Sequence, residues 1–474
     1  MTAEATAADD REVDLIVIGA GPVGENVADY ATQHGLTALV VEGELVGGEC
    51  SYWACMPSKA LLRSGAAVSA ARRVGGAEQA VTGSLDTAAV LARRNAFTSD
   101  WQDEGQVRWL DSAGIRLARG HGRIVGMREV EVDGERWQAR AAVAVATGSV
   151  PTLPDIPGLA EARPWGSREA TSMREVPRRL AVIGGGVVAV ELGLAAAQLG
   201  AEVTLLARSG LLGGFEPFAG ELVADGLREA GVDVRLGVTP ERVDRLGDGT
   251  VRLALPDGGE LLADEVLVAT GRTPRTGDVG FETVGLDPEH LQVDDTMRVA
   301  GTDWLYVVGD ANGRAPLTHQ GKYQARAAGQ AIAARRHGAP LDDRPWGVHV
   351  ATADGVAVPQ VVFTDPEVAS VGTTAKAAAD RGTTVRTVDY ELGQVAGASL
   401  HADHYRGRAR AVVDEDRGVL LGVTFVGQDV AELLHAATIA IVGEVPLDRL
   451  WHAVPAYPTM SEVWLRLLET YRQG

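Results

Sequence analysis

A pattern met twice limits the fold most: apolar strand, glycine turn, helix, second strand. The first copy begins in the Leu-Ile-Val-Ile run between Asp14 and Gly19 and turns at Gly19-Ala-Gly21-Pro-Val-Gly24. A helical stretch from Glu25 to His34 follows, then a second apolar run, Leu36–Val41, ending at Glu42. Short apolar runs between turn signals read as buried strands. Glycines at this spacing let the backbone turn tightly and approach a pyrophosphate at the helix N-terminus, and Glu42 is placed to bond an adenosine ribose. The second copy is Arg179-Leu-Ala-Val-Ile183, Gly184-Gly185-Gly186-Val-Val-Ala189, a helix over Val190–Gly200 and a strand over Val203–Leu206. It ends at Ala207-Arg208 instead of at an acid. A cation there suits a 2′-phosphate, which favours NADPH over NADH; the plainer reading of Arg208 is a solvated surface arginine. Two such folds imply two nucleotides. A flavin and a nicotinamide form the natural pair, because hydride can pass between them.

The segment Gly47-Gly48-Glu-Cys50-Ser-Tyr-Trp-Ala-Cys55-Met-Pro-Ser-Lys59 holds both cysteines of the chain. Two cysteines alone and five positions apart point to use as a pair. On a regular helix they would stand roughly 140° apart in azimuth and about 7.5 Å apart along the axis, and a disulfide needs Cα atoms closer than about 7 Å. If they bridge, Ser51–Ala54 is an irregular turn and Cys55 sits near a helix N-terminus, where a thiolate is favoured. The competing reading is two unrelated buried thiols.

Bulk properties narrow the classes. A chain of 474 residues has room for three or four domains, and its net charge of −20 disfavours nucleic acid or an anionic membrane as partner. No apolar run is long enough to span a bilayer. Met1–Asp14 is polar and acidic, with no signal-peptide pattern, and reads as a disordered tail on a cytoplasmic protein. In a reducing compartment a close cysteine pair is catalytic or metal-binding more often than structural, and two cysteines without a histidine cluster are too few for a zinc site. The lysines are Lys59, Lys322 and Lys376. Downstream, Ala60–Ala71 and Leu85–Trp109 look helical, and short strands run from Arg116 to Ala146. A Pro-containing link, Pro151–Pro164, follows. Past the second glycine turn come strands at Val251–Leu255 and Glu265–Ala269, then Trp304-Leu-Tyr-Val-Val-Gly309-Asp310 and a helix opening at Leu317-Thr318-His319-Gln320. Residues 340–346 read as a linker. The region from Val348 mixes strands with helical stretches near Val430–Val442 and Thr459–Tyr471.

Together these residues resemble the class I pyridine nucleotide–disulfide oxidoreductases, the flavoprotein family of glutathione reductase, dihydrolipoamide dehydrogenase and mercuric reductase. The resemblance covers nearly the full length. It rests on Gly19/Gly21/Gly24 with Glu42, Gly48-Glu-Cys50 through Lys59, Ala146-Thr147-Gly148, Gly184/Gly186 and Ala269-Thr-Gly271. It continues through Gly309-Asp310, Phe363–Gly372 and Pro458-Thr-Met-Ser-Glu462. It implies an α/β chain with two Rossmann-like domains and a C-terminal α+β dimerisation domain. Residues 11–160 and 281–346 would bind FAD, 161–280 NADPH (NADH being the alternative), and 347–474 would form a homodimer. The resemblance makes Cys55 the flavin-proximal thiol and Cys50 the thiol that attacks the substrate disulfide. Lys59 stands beside flavin N5 with Glu191 as its ion-pair partner, Asp310 binds the ribityl chain, and Thr318 and His319 contact the ring. Gly48, Thr147, Gly148 and Gly271 complete the nucleotide contacts.

The acceptor side departs from the family pattern. The reductases place a histidine five residues before the glutamate that matches Glu462; here that position is Tyr457, with His452 a few residues upstream. A tyrosine, with pKa near ~10 against ~6.5 for histidine, is a poorer proton shuttle at neutral pH. Mercuric reductases share this tyrosine but carry a further C-terminal cysteine pair, which Glu469-Thr-Tyr-Arg-Gln-Gly lacks, so mercury reduction in its usual form is not expected. The leading expectation is an FAD-dependent reductase passing electrons from NADPH through Cys50 and Cys55 to a small-molecule disulfide or thiol-reactive substrate. The alternatives are direct flavin reduction of a quinone or other acceptor, with the dithiol as bystander, and a non-catalytic flavoprotein subunit.

Overall fold

The computed structural model describes residues 11–473. The expected N-terminal tail lies outside the described residues up to Asp10. Its last part is not tail: the strand Glu12–Ile18 takes in Glu12 to Asp14. The reason is local. The Asp14 carboxylate accepts from Thr37 N–H at 3.0 Å, Arg140 Nε at 3.0 Å and Arg336 Nε at 3.1 Å. Burial opposes the charge, yet the Arg140, Thr37 and Arg336 contacts hold this carboxyl well below the usual carboxylate range.

The chain divides into two compact units. The first combines residues up to 56 with 95–150 and 272–354. Its sheet has seven strands. Glu12–Ile18 is flanked in parallel by Ala38–Glu42 and Glu135–Val145, with Arg116–Arg119 outside the former and Leu305–Val307 pairing the latter. Val17, Val40, Val143 and Leu305 are wholly buried, as strands covered on both faces require. The helix Pro22–Gln33 packs against Thr318–His337 at close range. A Cβ on Gly329 would stand 2.8 Å from Tyr30 Cβ, and one on Gly321 2.5 Å from Val23 Cγ2. Small residues at these crossings let the helices meet.

The second unit combines 57–94, 151–271 and 355–474. A four-stranded parallel sheet orders Asp233–Leu236, Glu202–Ala207, Arg179–Ile183 and Glu265–Val268. The helix Val187–Gln198 on this sheet is buried from Ala189 to Ala196, which includes one charged residue, Glu191. A five-stranded antiparallel sheet spans Gln360–Val362, Glu367–Gly372, Val419–Gly427, Arg408–Asp414 and Val385–Glu391. Its core centres on Phe425, edge-on to Trp464 at 5.5 Å.

Two expectations need correction. Leu85–Trp109 is not one helix. It breaks into Thr87–Phe97, a short turn at Ser99–Trp101 and Glu104–Ser112, because Ser99, Asp100 and Trp101 take positive φ values of 49°, 50° and 56°. The cysteine link is also shorter than expected. Gly48–Tyr52 is itself helical, so the irregular stretch is Trp53–Ala54. Among the described residues no helix is long and apolar enough to cross a membrane.

The two glycine turns differ at their third position. A Cβ on Gly24 would lie 1.9 Å from the Gly19 carbonyl oxygen, whereas Ala189 already occupies the matching place and is fully buried. Gly24→Ala is therefore expected to destabilise the apoprotein by about 1–3 kcal/mol through overpacking. Ala189→Gly should cost only about 1 kcal/mol of helix propensity. Urea unfolding midpoints of the two variants measure this; a Gly24→Ala protein as stable as wild type contradicts it.

Candidate active site

In the first unit, Gly19 turns the chain with φ +102°, and a Cβ there would meet the Ala146 carbonyl oxygen at 2.6 Å. The turn delivers Gly21 to the N-terminus of Pro22–Gln33. Glu42, at the end of its strand, folds back over this loop. It accepts from Ala20 N–H at 2.7 Å and from Glu44 N–H at 2.8 Å. Gly48, with φ +55°, passes against Gly21 so closely that a Cβ on it would be 2.8 Å from Gly21 Cα. These two glycines leave an open backbone cradle at a helix N-terminus, the geometry a pyrophosphate needs.

The short helix Gly48–Tyr52 carries Cys50, and the helix Cys55–Arg72 begins at Cys55. The two are not joined by a disulfide and stand close enough to share a hydrogen bond. Cys55 Sγ lies 3.3 Å from Thr318 Oγ1, at the start of Thr318–His337. The hydrogen bond to Cys55, and then burial, push the Cys50 thiol up from its ordinary value. Tyr52 is buried and stands edge-on to Trp53 at 5.7 Å, and its carbonyl accepts from Trp101 Nε1 at 3.1 Å. Tyr52 is therefore a packing residue.

Asp310 follows the strand Leu305–Val307. Its Oδ2 accepts from Ser149 Oγ at 2.6 Å, and Arg272 donates to the same Ser149 hydroxyl from Nε at 2.7 Å. Asp310 Oδ1 accepts no hydrogen bond among the described residues. Thr147 Oγ1 donates to the Arg275 carbonyl at 2.5 Å, fixing the Ala146-Thr147-Gly148 turn, where Gly148 has φ +75°. His319 is exposed next to Thr318.

In the second unit, Lys59 Nζ is 2.7 Å from Glu191 Oε2. Glu191 is 3% exposed, and its other oxygen accepts from Phe363 N–H at 2.9 Å. The Phe363 ring lies under the ammonium, 5.0 Å from Nζ to centroid. Both carboxylate oxygens are thus satisfied, as a buried charge requires. The nucleotide turn of this unit has Gly184 at φ +137°, a position where a Cβ would meet the Ala269 carbonyl oxygen at 2.2 Å. Gly186 caps Val187–Gln198 with open space around it. Arg208 is exposed just beyond Glu202–Ala207, and Gly271 is exposed with φ +137°. Tyr457 is 75% exposed and His452 is also exposed, while Glu462 is buried at the start of Glu462–Gln473 with Arg466 Nη2 at 2.5 Å. Within one chain the tyrosine faces solvent.

The structure brings together residues that sequence reasoning missed. Phe363 is 172 positions from Glu191, and no local pattern links them. Ser149 and Arg272 each directly follow one of the Thr-Gly turns, which was the available signal.

Residues 13–338 match the family model described as pyridine nucleotide-disulphide oxidoreductase, and residues 358–467 match the dimerisation domain of the same family. The chain belongs to the pyridine nucleotide-disulphide oxidoreductase family. It is 31% identical over 466 residues to the mercuric reductase of Staphylococcus aureus, covering 96% of this chain and 81% of that protein. It is 32% identical over 474 residues to the dihydrolipoyl dehydrogenase of Haloferax volcanii, covering 96% and 95%. Among solved structures it is similar to the HOCl-induced flavoprotein disulfide reductase RclA from Escherichia coli, with TM-score 0.80 and 23% identity over 96% of this chain and 99% of that one. That likeness carries the fold. Family members are FAD-dependent, NAD(P)H-linked disulfide oxidoreductases, and this chain is one of them. The residues fit the flavin nucleotide: the Gly21–Gly48 cradle would be filled by a Cβ, and Asp310 keeps an oxygen for a hydroxyl.

Glu25, one turn into the helix behind the first glycine loop, is buried, and its Oε1 has no partner among the described residues. Burial raises its pKa to about 8, against the pull of Lys322 and with help from Glu42. A carboxyl raised above its unfolded value stabilises the fold at low pH, and that contribution is lost as pH rises through about 8. The melting temperature of the apoprotein should fall between about pH 5 and 8, and Glu25→Gln should flatten the fall. An unchanged slope in the variant contradicts this.

Proposed function

We propose that this enzyme passes electrons from NADPH through FAD and the Cys50/Cys55 pair to a small-molecule disulfide or related thiol-reactive substrate. The observation that carries the reading is the placement of Cys55. It heads the helix Cys55–Arg72, its sulfur is 3.3 Å from Thr318 Oγ1, and Cys50 shares a hydrogen bond with it. Lys59 lies four residues further along that helix, one turn on. The flavin, when bound, accepts hydride from the nicotinamide and hands on an electron pair.

The chain's own residues take the remaining roles. Cys55 is the flavin-side sulfur, stabilised by the helix N-terminus and the Thr318 hydroxyl. Cys50 must release its proton to attack the substrate disulfide, forming a mixed disulfide and freeing one substrate thiol. Attack of Cys55 on that mixed disulfide frees the second thiol. One turnover takes two electrons and two protons, as hydride from NADPH and one H⁺ from solvent, and yields two thiols. Lys59, with Glu191 as its ion-pair partner, would supply the cation for flavin N5, Asp310 would hold the ribityl chain, and Thr318 and His319 would contact the ring. Gly19, Gly21, Gly24, Gly48, Thr147 and Gly148 shape the FAD site, and Glu42 orders the loop while reaching the adenosine ribose. Gly184, Gly186, Gly271 and Arg208 serve NADPH, with Arg208 on the 2′-phosphate.

In this reading residues 11–160 and 281–346 bind FAD, 161–280 bind NADPH, and 347–474 pair two copies into a cytoplasmic homodimer. The exposed Tyr457, with Glu462, then serves the partner copy's thiols. Direct reduction of a quinone or other acceptor is the second reading. It is favoured by Tyr457 standing where a histidine would handle the proton.

Anaerobic titration with NADPH separates the two. Two-electron reduction should give a long-wavelength thiolate–flavin absorbance that Cys55→Ser abolishes together with disulfide turnover. No such band in wild type, with full acceptor turnover in Cys55→Ser, supports the second reading instead. Arg208→Ala should raise KM for NADPH by roughly 10-fold or more, the worth of one charge-assisted contact, and leave NADH unchanged.

A further inference from the structure

Four residues from distant parts of the chain meet in the first unit: Glu49, Ser149, Arg272 and Asp310. Ser149 is 5% exposed and lies at the centre. Its hydroxyl accepts from Arg272 Nε at 2.7 Å and donates to Asp310 Oδ2 at 2.6 Å. The direction of this chain is set by chemistry: a guanidinium can only donate and a carboxylate can only accept, so the one hydroxyl proton must lie toward Asp310. Arg272 also donates from Nη2 to the Ser149 carbonyl at 2.7 Å, which holds guanidinium and serine as a rigid couple. The same Nη2 is 3.8 Å from Glu49 Oε2. Glu49 directly precedes Cys50 in the helix Gly48–Tyr52.

We propose that Ser149 and Arg272 are positioning residues that orient the Asp310 carboxylate for the flavin, and that Glu49 ties this carboxylate to the helix carrying Cys50. The inference rests on the assignment of Asp310 to the ribityl chain. The hydroxyl fixes Oδ2 through a charge-assisted bond and presents Oδ1 outward. The cation behind the serine strengthens that bond and stops the hydroxyl from turning away. Through Glu49, the position of the Cys50 helix is linked to the group that holds the cofactor.

A double-mutant cycle on FAD binding to the apoprotein tests the couple, read by flavin fluorescence. Asp310→Asn is expected to weaken FAD about 10-fold or more, and Ser149→Ala about 5-fold, the worth of a charge-assisted bond acting through a neighbour. If serine works through the aspartate, the double variant is no weaker than Asp310→Asn by more than about 2-fold. Ser149→Thr, which keeps the hydroxyl, should recover most of the affinity, and Arg272→Lys should match Ser149→Ala. Full additivity, or wild-type affinity in Ser149→Ala, overturns the positioning role while leaving the Asp310 assignment intact. Wild-type affinity in Asp310→Asn instead removes that assignment, and the positioning role with it. The Glu49 arm has its own readout. Glu49→Gln should keep FAD affinity within about 2-fold of wild type, the size of an ion pair lost at 3.8 Å in a part-exposed place. It should nevertheless change the alkylation rate of Cys50 in the reduced protein. An unchanged rate overturns that link.

Discussion

The buried carboxylate of Glu191 is the constraint on which the candidate residues of the second unit depend. It sits in a helix that is otherwise apolar through the buried stretch from Ala189 to Ala196. A charge in such a place is tolerated only when paired and hydrogen-bonded. Lys59 supplies the pairing and the Phe363 N–H supplies the second bond, so residues from all three segments of the unit converge on one group. Removing one partner of a fully buried pair costs about 3–5 kcal/mol. The figure is smaller here, because the Lys59 side chain keeps 36% of its exposure. The ammonium itself is held between the Glu191 carboxylate and the Phe363 ring.

The thiols of the first unit show a complementary economy. Cys55 gains a helix N-terminus and a hydroxyl at 3.3 Å, both of which favour negative charge on sulfur. Cys50 gains a hydrogen bond to Cys55 and a buried setting, which favour the neutral thiol. The two sulfurs therefore sit in different settings, one that favours the thiolate and one that favours the thiol. Proton release from Cys50 becomes the step for which the chain must find a base, and that is where Tyr457 replaces the histidine of the family pattern.

Much of this was legible before any coordinates. The glycine turns, the two helix starts behind them and the cysteine segment are local patterns, dictated by backbone conformation and by spacing. Lys59 and Glu191 became legible as a pair only through the family resemblance, since 132 positions separate them. Phe363, Ser149 and Arg272 were not legible as site residues, because each acts through one long-range hydrogen bond that leaves no periodic trace. The helix expected over Leu85–Trp109 failed for a related reason. Its composition is helical throughout, and the break at Ser99–Trp101 is decided by tertiary contact, with Trp101 bonding the Tyr52 carbonyl.

The central claim is that the dithiol lies on the electron path. The chain has two cysteines in all, so counting thiols is unambiguous. Oxidised enzyme and enzyme treated anaerobically with NADPH can each be denatured, alkylated and weighed. The account predicts no alkylated cysteine in the first and two, at Cys50 and Cys55, in the second. Two alkylated cysteines in both samples, with NADPH bleaching the flavin alone, would contradict it.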